Sequence, residues 1–387
     1  MARATPTLVT RLVTVVLASA AVVGACAGGA ASAPAAAPKP SASGTSKSTA
    51  AAPAPPSSVA STASTASSAP PLSSAAQAAL STADGAFAAE EWSKAEAAYQ
   101  KAEGLAPKHP APYVGRARAI LSGLGVPFDL GSASSVPAKQ KRVKEARALL
   151  ATAQKLDPKH APAWIESGRA ALMLGDGAAA LADLDRGVAL APADAEAVSA
   201  RGIAKLALGK GDEAIVDLKR AIDLDPTTAA RRRNYATALL LQGRTAEAVK
   251  AYERAIDLDP TSAGARNDLG AALLQLGDVP RAIKELEAAV KLAPDEPVYR
   301  VVLGFAYQSA KRWADAEAAY KKALALDDKR TAAWVNLGSL YLQMGKKDDA
   351  RAALKKALTL DPGEPRAKAM LEDLDAPPPK PAPAPKK

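Results

Sequence analysis

The residue types that most often carry chemistry are scarce in this chain. Its 387 residues include one cysteine, Cys26, and two histidines, His109 and His160. One cysteine forms no intramolecular disulfide and offers no second thiol at zinc-ligand spacing. The two histidines follow the same dipeptide, Pro107-Lys108 and Pro158-Lys159, so they read as two copies of one turn rather than as metal ligands. No glycine-rich phosphate loop opens a helical run, and no His-Glu-x-x-His occurs. Acidic pairs such as Asp348-Asp349 sit at expected helix starts, where a carboxylate suits the helix dipole. The sequence therefore predicts no catalytic residue, no metal site and no cofactor. What remains is recognition by a surface.

Cys26 has a setting of its own. Arg3 and Arg11 precede an apolar run from Leu12 to Ala25, which ends in Val23-Gly24-Ala25-Cys26. A charged start, a short apolar stretch and small residues read as a secretory signal over residues 1–25. The run is shorter than the roughly 20 residues a membrane-spanning helix needs. Its end resembles the bacterial lipobox, which implies lipidation of Cys26 and anchoring to a membrane. Cleavage near Ala27, at the small-x-small site Ala25-Cys26-Ala27, and an uncleaved anchor are the alternatives. Residues 26–75 are almost wholly Ala, Pro, Ser and Thr, a composition that cannot offset its ordering entropy and reads as a disordered tether. The Pro/Lys-rich residues 375–387 read as a disordered tail.

The formal charge of +10 is not a nucleic-acid footprint. Seven of the 50 basic residues (Arg3, Arg11, Lys39, Lys47, Lys380, Lys386 and Lys387) lie outside the span that holds all 40 acids. Asp84 to Asp375 is therefore close to neutral, and no nucleic-acid partner is expected.

The elements that would build a surface come from a repeat. Pro158, Pro192, Pro226, Pro260 and Pro294 stand 34 residues apart, and Pro362 follows after twice that distance. Counting back from each gives units at 76–109, 110–160, 161–194, 195–228, 229–262, 263–296, 297–330 and 331–364. The second is 17 residues longer, with an inserted loop expected at 125–141. In the last unit Trp334, Leu337, Gly338 and Tyr341 mark one face of a first helix. Ala350, Leu354, Ala357 and Leu358 mark a second helix that ends before Pro362. One alanine recurs in all eight units, from Ala95 and Ala146 to Ala316 and Ala350. Seven residues on, a second ladder runs from Ala102 to Ala357, with Gly187 in place of alanine. Each unit also carries a leucine just before its corner, from Leu105 to Leu360. These leucines are expected to fill core space with Tyr99, Tyr252, Tyr320 and Leu354.

Trp334, Leu337-Gly338, Tyr341, Ala350, Leu354, Ala357 and Pro362 resemble the signature of the tetratricopeptide repeat, over about 76–364 and less clearly in the first two units. The resemblance implies an all-α, right-handed superhelical solenoid of about eight helix-turn-helix repeats over 76–374, closed by a capping helix at 365–374. It also implies a concave groove, lined by the side of each first helix away from Trp334 and its equivalents, that holds extended peptides or helices of partner proteins. Carried unit by unit, that side presents Glu166 and Arg169, Ser199 and Ile203, then Arg233, Asn234 and Thr237. Asn267 and Asp268 follow, then Val301, Val302 and Phe305, then Val335, Asn336 and Ser339. Arg233, Asn234, Asn267 and Asn336 are the expected hydrogen-bonding groups, with Asp268 among them. Val302 and Phe305 are the expected apolar anchor. The carboxylate clamp of chaperone-binding members is not reproduced, since Thr237, Asp268 and Val302 stand where its donors would be. The expected function is a non-enzymatic scaffold in the bacterial cell envelope that binds envelope proteins and helps assemble a pilus, secretion or outer-membrane complex. The alternative is an accessory to cell-wall metabolism that binds polysaccharide or positions a wall enzyme. No residue fixes the oligomeric state.

Overall fold

The computed structural model describes residues 69–125 and 137–376. The signal, Cys26, most of the tether, the centre of the insertion and nearly all of the tail lie outside these residues. Those described form seventeen helices and no strand. Units 1 to 4 contribute α1 (Ser74–Ala88), α2 (Trp92–Leu105), α3 (Pro110–Ser122), α4 (Pro137–Leu156), α5 (Ala161–Met173), α6 (Gly177–Leu190), α7 (Ala195–Ala207) and α8 (Gly211–Leu224). Units 5 to 8 contribute α9 (Ala229–Leu241), α10 (Thr245–Leu258), α11 (Ala263–Gln275), α12 (Val279–Leu292), α13 (Pro297–Ser309), α14 (Trp313–Leu326), α15 (Thr331–Gln343) and α16 (Lys347–Leu360). The capping helix is α17 (Pro365–Asp375). The stack starts two residues before the expected boundary, because the Ser73 hydroxyl accepts the Ala76 amide at 3.2 Å and caps α1.

The turn between the paired helices is dictated by one backbone position. Gly175, Gly209, Gly243, Gly277 and Gly345 have φ of 73–81°. The left-handed residue lets the next amide reach back five residues, as Lys346 does to the Tyr341 carbonyl at 2.8 Å. In two units the position is held by Glu90 (φ 57°) and Lys311 (φ 58°), where a Cβ crowds the backbone. Lys311→Gly is therefore expected to raise stability by about 0.5–1 kcal/mol, once the extra freedom of glycine in the unfolded chain is set against the relieved strain. A urea midpoint that fails to rise would show that the site carries no strain.

Packing is set by the two alanine ladders, every member of which is fully buried. Small residues there bring neighbouring helices together, and the gaps are filled from the second helix by Tyr99, Tyr252, Tyr320 and Leu354. Close approach needs Gly338, where an added Cβ would stand 2.7 Å from the Leu354 side chain. The corner leucines do not share this burial. Leu105, Leu224, Leu258, Leu292 and Leu326 are 40–45% exposed, whereas Leu156, Leu190 and Leu360 are half-buried.

The corners are satisfied one by one. In six units the fourth residue of the first helix donates a side-chain hydrogen bond to the carbonyl six residues back. Tyr113 reaches Pro107, Trp164 reaches Pro158, Arg232 reaches Pro226, Arg266 reaches Pro260, Arg300 reaches Pro294 and Trp334 reaches Asp328. Unit 4 has Val198 there, which cannot donate, and Arg220 of α8 supplies the bond to Pro192 at 2.6 Å instead.

The insertion is not all loop. The other second helices have 14 residues, whereas α4 has 20, so residues 137–141 are helical. Pro137 opens α4 at a position suited to its fixed φ, and the helix-forming run Ala-Lys-Gln-Lys-Arg continues it.

First helices of successive units touch along the whole stack, whereas contacts between successive second helices are absent or slight. The first helices therefore line the inside of the curve.

Candidate functional site

The inner wall comes from the first helices, and its residues are less free than helical periodicity alone implies. Glu166, Ser199, Ile203, Thr237, Asn267, Asp268, Val301, Val302, Val335 and Asn336 are all buried, and Arg169, Ser339, Arg233, Asn234 and Phe305 are half-buried. The expectation that this side projects freely is corrected accordingly. Each first helix is covered laterally by the first helix of the next unit, so both flanks of the stripe are shielded.

Most of the wall's charges are spent on neighbouring units. Glu166 lies 3.3 Å from both Arg118 and Arg169, and Arg169 lies 3.5 Å from Glu196. Glu196 approaches Arg231 at 3.4 Å, and Arg231 in turn pairs with Asp225. Farther along, Arg233 donates to Asp268 at 2.7 Å and Gln308 donates to Ser339 at 3.5 Å. Arg366 of the cap donates to the Asn336 amide oxygen at 3.3 Å. Arg233, expected to meet a partner, is thus tied across to unit 6. Its guanidinium lies over Gly264, where an added Cβ would come within 3.3 Å of it. Tyr299 of α13 is in electrostatic reach of both, and burial raises its pKa while Arg233 and Asp268 act in opposite senses. Neither Gly264 nor Tyr299 stands out by residue type. Gly264 was findable as the only glycine at the second position of a first helix.

Toward the C-terminal end of this wall some amide groups are left unsatisfied. The side-chain oxygens of Asn267 and Gln275 and the side-chain nitrogen of Asn336 are buried without a hydrogen-bond partner. Phe305, on the first helix between those of Asn267 and Asn336, stays half-exposed. Val302, expected as part of the apolar anchor, is 4% exposed and belongs to the core, so it offers a partner almost no surface. Asn234 is half-buried in unit 5.

The histidines do not assemble a metal site. No group of three or more His, Cys, Asp or Glu residues with ligand geometry occurs among the described residues. His109 caps α3 by accepting the Ala111 amide on Nδ1 at 3.2 Å. Burial lowers the pKa of both histidines below the ordinary 6.5, against the pull of the buried Asp157 carboxylate, and His109 further lowers His160. A folded-state value below the unfolded one means the unfolded chain takes up protons first, so stability falls as pH drops through 6.5. The melting temperature is expected to fall between pH 7.5 and 5.5, and less so in a His109→Gln/His160→Gln variant. An equal fall in both would place the acid sensitivity elsewhere.

No helix among the described residues is long and apolar enough to cross a membrane. Two models of the tetratricopeptide repeat match the chain, one over residues 138–195 and 199–263, the other over 239–302 and 307–374. No curated protein matches it by sequence. Among solved structures, a chain of the APC/C hetero-tetramer Cut9-Hcn1 aligns with 77% of this chain at TM-score 0.58 and 18% identity. The present chain covers 55% of that protein, about half its length. The Thermus thermophilus protein TTC0263 aligns at TM-score 0.41 and 25% identity, over 46% of this chain and 98% of its own. Pseudomonas aeruginosa pilF aligns at TM-score 0.48 and 19% identity, over 55% and 97%.

Proposed function

Because the chain belongs to the tetratricopeptide repeat family, a family of protein-interaction scaffolds, we propose that the C-terminal part of its inner wall holds an extended segment of a partner protein. The observation that carries this reading is the trio of buried, unpartnered amide atoms on Asn267, Gln275 and Asn336, on the first helices either side of the one that bears the half-exposed Phe305. A buried polar atom without a partner costs free energy. A peptide backbone offers donors and acceptors at regular spacing, which would satisfy both kinds once these amides turn toward the groove. Phe305 supplies an apolar anchor between them, and anchors of this type dominate binding energies.

The reading extends to location. A positive leader, a short apolar run and Val23-Gly24-Ala25-Cys26 support export and lipidation of Cys26, with the tether of residues 26–75 as spacer between membrane and stack. The partners are then envelope proteins, and the task is to gather components of a pilus, secretion or outer-membrane assembly. Palmitate incorporation that persists in Cys26→Ser would sink the anchor. For the wall, proteins co-purified from envelope extract are compared with Phe305→Ala. Loss of a buried aromatic anchor is expected to weaken capture by about 2 kcal/mol, roughly thirtyfold. Unchanged capture removes Phe305 from the site, and capture only by purified wall material favours the wall-accessory function.

A further inference from the structure

A cleft of about 670 Å³ lies between the long helix α4 and the helix pair α5–α6. Its walls include Lys144, Arg147, Ala148 and Ala151 of α4, Ser167 of α5 and Asp183 of α6. Ser167 lies about 160° around α5 from Arg169, so the cleft opens away from the inner wall. Gln140, on the part of α4 by which it exceeds the other second helices, extends one wall, so the helical part of the insertion helps to build the cleft.

Other units place larger side chains here: Ile120, Leu239 and Leu273 in units 2, 5 and 6, and a tyrosine in units 7 and 8. Tyr307 and Tyr341 stand eleventh in their units, the position of Ala171 in α5. The Tyr307 hydroxyl donates to Glu287 at 2.6 Å, with the Arg312 guanidinium 4.4 Å from its ring centre. The Tyr341 hydroxyl donates to Glu317 at 3.0 Å, with Lys346 5.5 Å from its ring. In unit 4 the same position is Lys205, which reaches across to Asp217 at 2.8 Å. The acceptors Glu287 and Glu317 come from the preceding second helix, at positions that α4 fills with Ala151 and Arg147. Where units 7 and 8 place a phenol ring under a cation and against a carboxylate, unit 3 has the small, buried Ala171, and Ser167 and Leu174, one turn to either side of it, line a cleft among the described residues.

We propose that this cleft takes a tyrosine side chain from an extended segment of a partner protein. The groups that hold Tyr307 and Tyr341 are present with their sides exchanged. Arg147 and Lys144 now stand on α4, offering a cation to the ring face, and the carboxylates of Asp176 and Asp183 stand on the α6 side. Asp183 is held in place by the Ser167 hydroxyl at 2.7 Å and by Arg147 at 3.6 Å, and burial raises its pKa. It is the acceptor for the phenol hydroxyl. A leucine side chain would fill the space but offers neither a ring face to the cation nor a donor to the second carboxylate oxygen of Asp183. The site is independent of Phe305 and of the inner-wall reading.

The test is a titration of the whole chain, labelled at alanine methyl groups, with N-acetyl-L-tyrosinamide and in parallel with N-acetyl-L-leucinamide. The expected result is saturable shifts at the Ala148 and Ala151 methyls with the tyrosine probe, and none that saturate with leucine. Ala151 is exposed, so Ala151→Trp fills the mouth without touching the core. In that variant the Ala148 shifts should be lost while the circular dichroism is unchanged. Asp183→Asn, with its fold verified the same way, should weaken the tyrosine shifts but leave the response to leucine as it was. No saturable shift, equal response to the two probes, or Ala148 shifts that survive Ala151→Trp would each overturn the proposal.

Discussion

Asp217→Ala is expected to cost about 3–5 kcal/mol, among the largest effects of any single substitution in the stack. Asp217 on α8 is 3% exposed and accepts from Arg201 at 2.7 and 2.8 Å and from Lys205 at 2.8 Å. Removing it leaves two cations, themselves only 17% and 14% exposed, without their main counter-charge. Asp185 and Glu213, at 3.3 and 3.7 Å, are far more exposed and compensate weakly. Burial alone would raise the Asp217 pKa, but the hydrogen bonds from Arg201 and Lys205 outweigh it and hold the carboxyl below the usual 3.8. A depressed folded-state pKa contributes stability above 3.8 that is lost as pH falls through the lower folded value. Urea midpoints at pH 7 and pH 3 should therefore converge in Asp217→Ala relative to the parent. Replacing all three by leucine should recover most of the loss, since hydrophobic residues replace a buried ion cluster at little cost. A single variant that unfolds no more readily than the parent would show that water already screens the cluster.

This cluster shows where sequence reading stops. Period, hairpin geometry and the alanine ladders were legible because each is a local pattern repeated in many copies. The ladders at Ala95 to Ala350 and Ala102 to Ala357 are buried throughout, as spacing alone demands. The burial of the inner side of the first helices was not legible, because periodicity describes one helix, whereas burial of Val335 and Asn336 is decided by the helix beside it and by the cap. Ion pairs between units, such as Arg233 with Asp268, span 35 residues and leave no local trace. The 17-residue excess of unit 2 was legible as an amount. Its division between linker and helix was not, because Pro137 marks a helix start as readily as a loop. The cleft beside α4 is lined by residues of three helices as far apart in sequence as Gln140 and Asp183, and small residues such as Ala148 and Ala151 leave no local signal of it.

Arg233→Ala is expected to cost about 3 kcal/mol and Asp268→Ala only about 1 kcal/mol, although both break the same 2.7 Å pair. The asymmetry follows from what each leaves behind. Without Arg233, the Asp268 carboxylate, only 6% exposed in the parent, keeps the Asn267 amide at 3.3 Å in place of a full counter-charge. Without Asp268, Arg233 is still 34% exposed and can turn its guanidinium to water. A double-mutant cycle read by urea denaturation would give the coupling between them, and equal single-variant costs would refute the argument from burial. The asymmetry also decides how the inner wall is to be probed. Loss of binding in Arg233→Ala would report an unsettled first helix as readily as a lost contact. Asp268→Ala keeps the fold and releases the guanidinium from its strongest neighbour. A partner segment rich in acidic side chains should then bind several-fold more tightly, with a steeper salt dependence, because it no longer competes with Asp268. If its affinity is unchanged or falls, Arg233 is a strut between units 5 and 6, and the wall reads its partner through Phe305 and the amides alone.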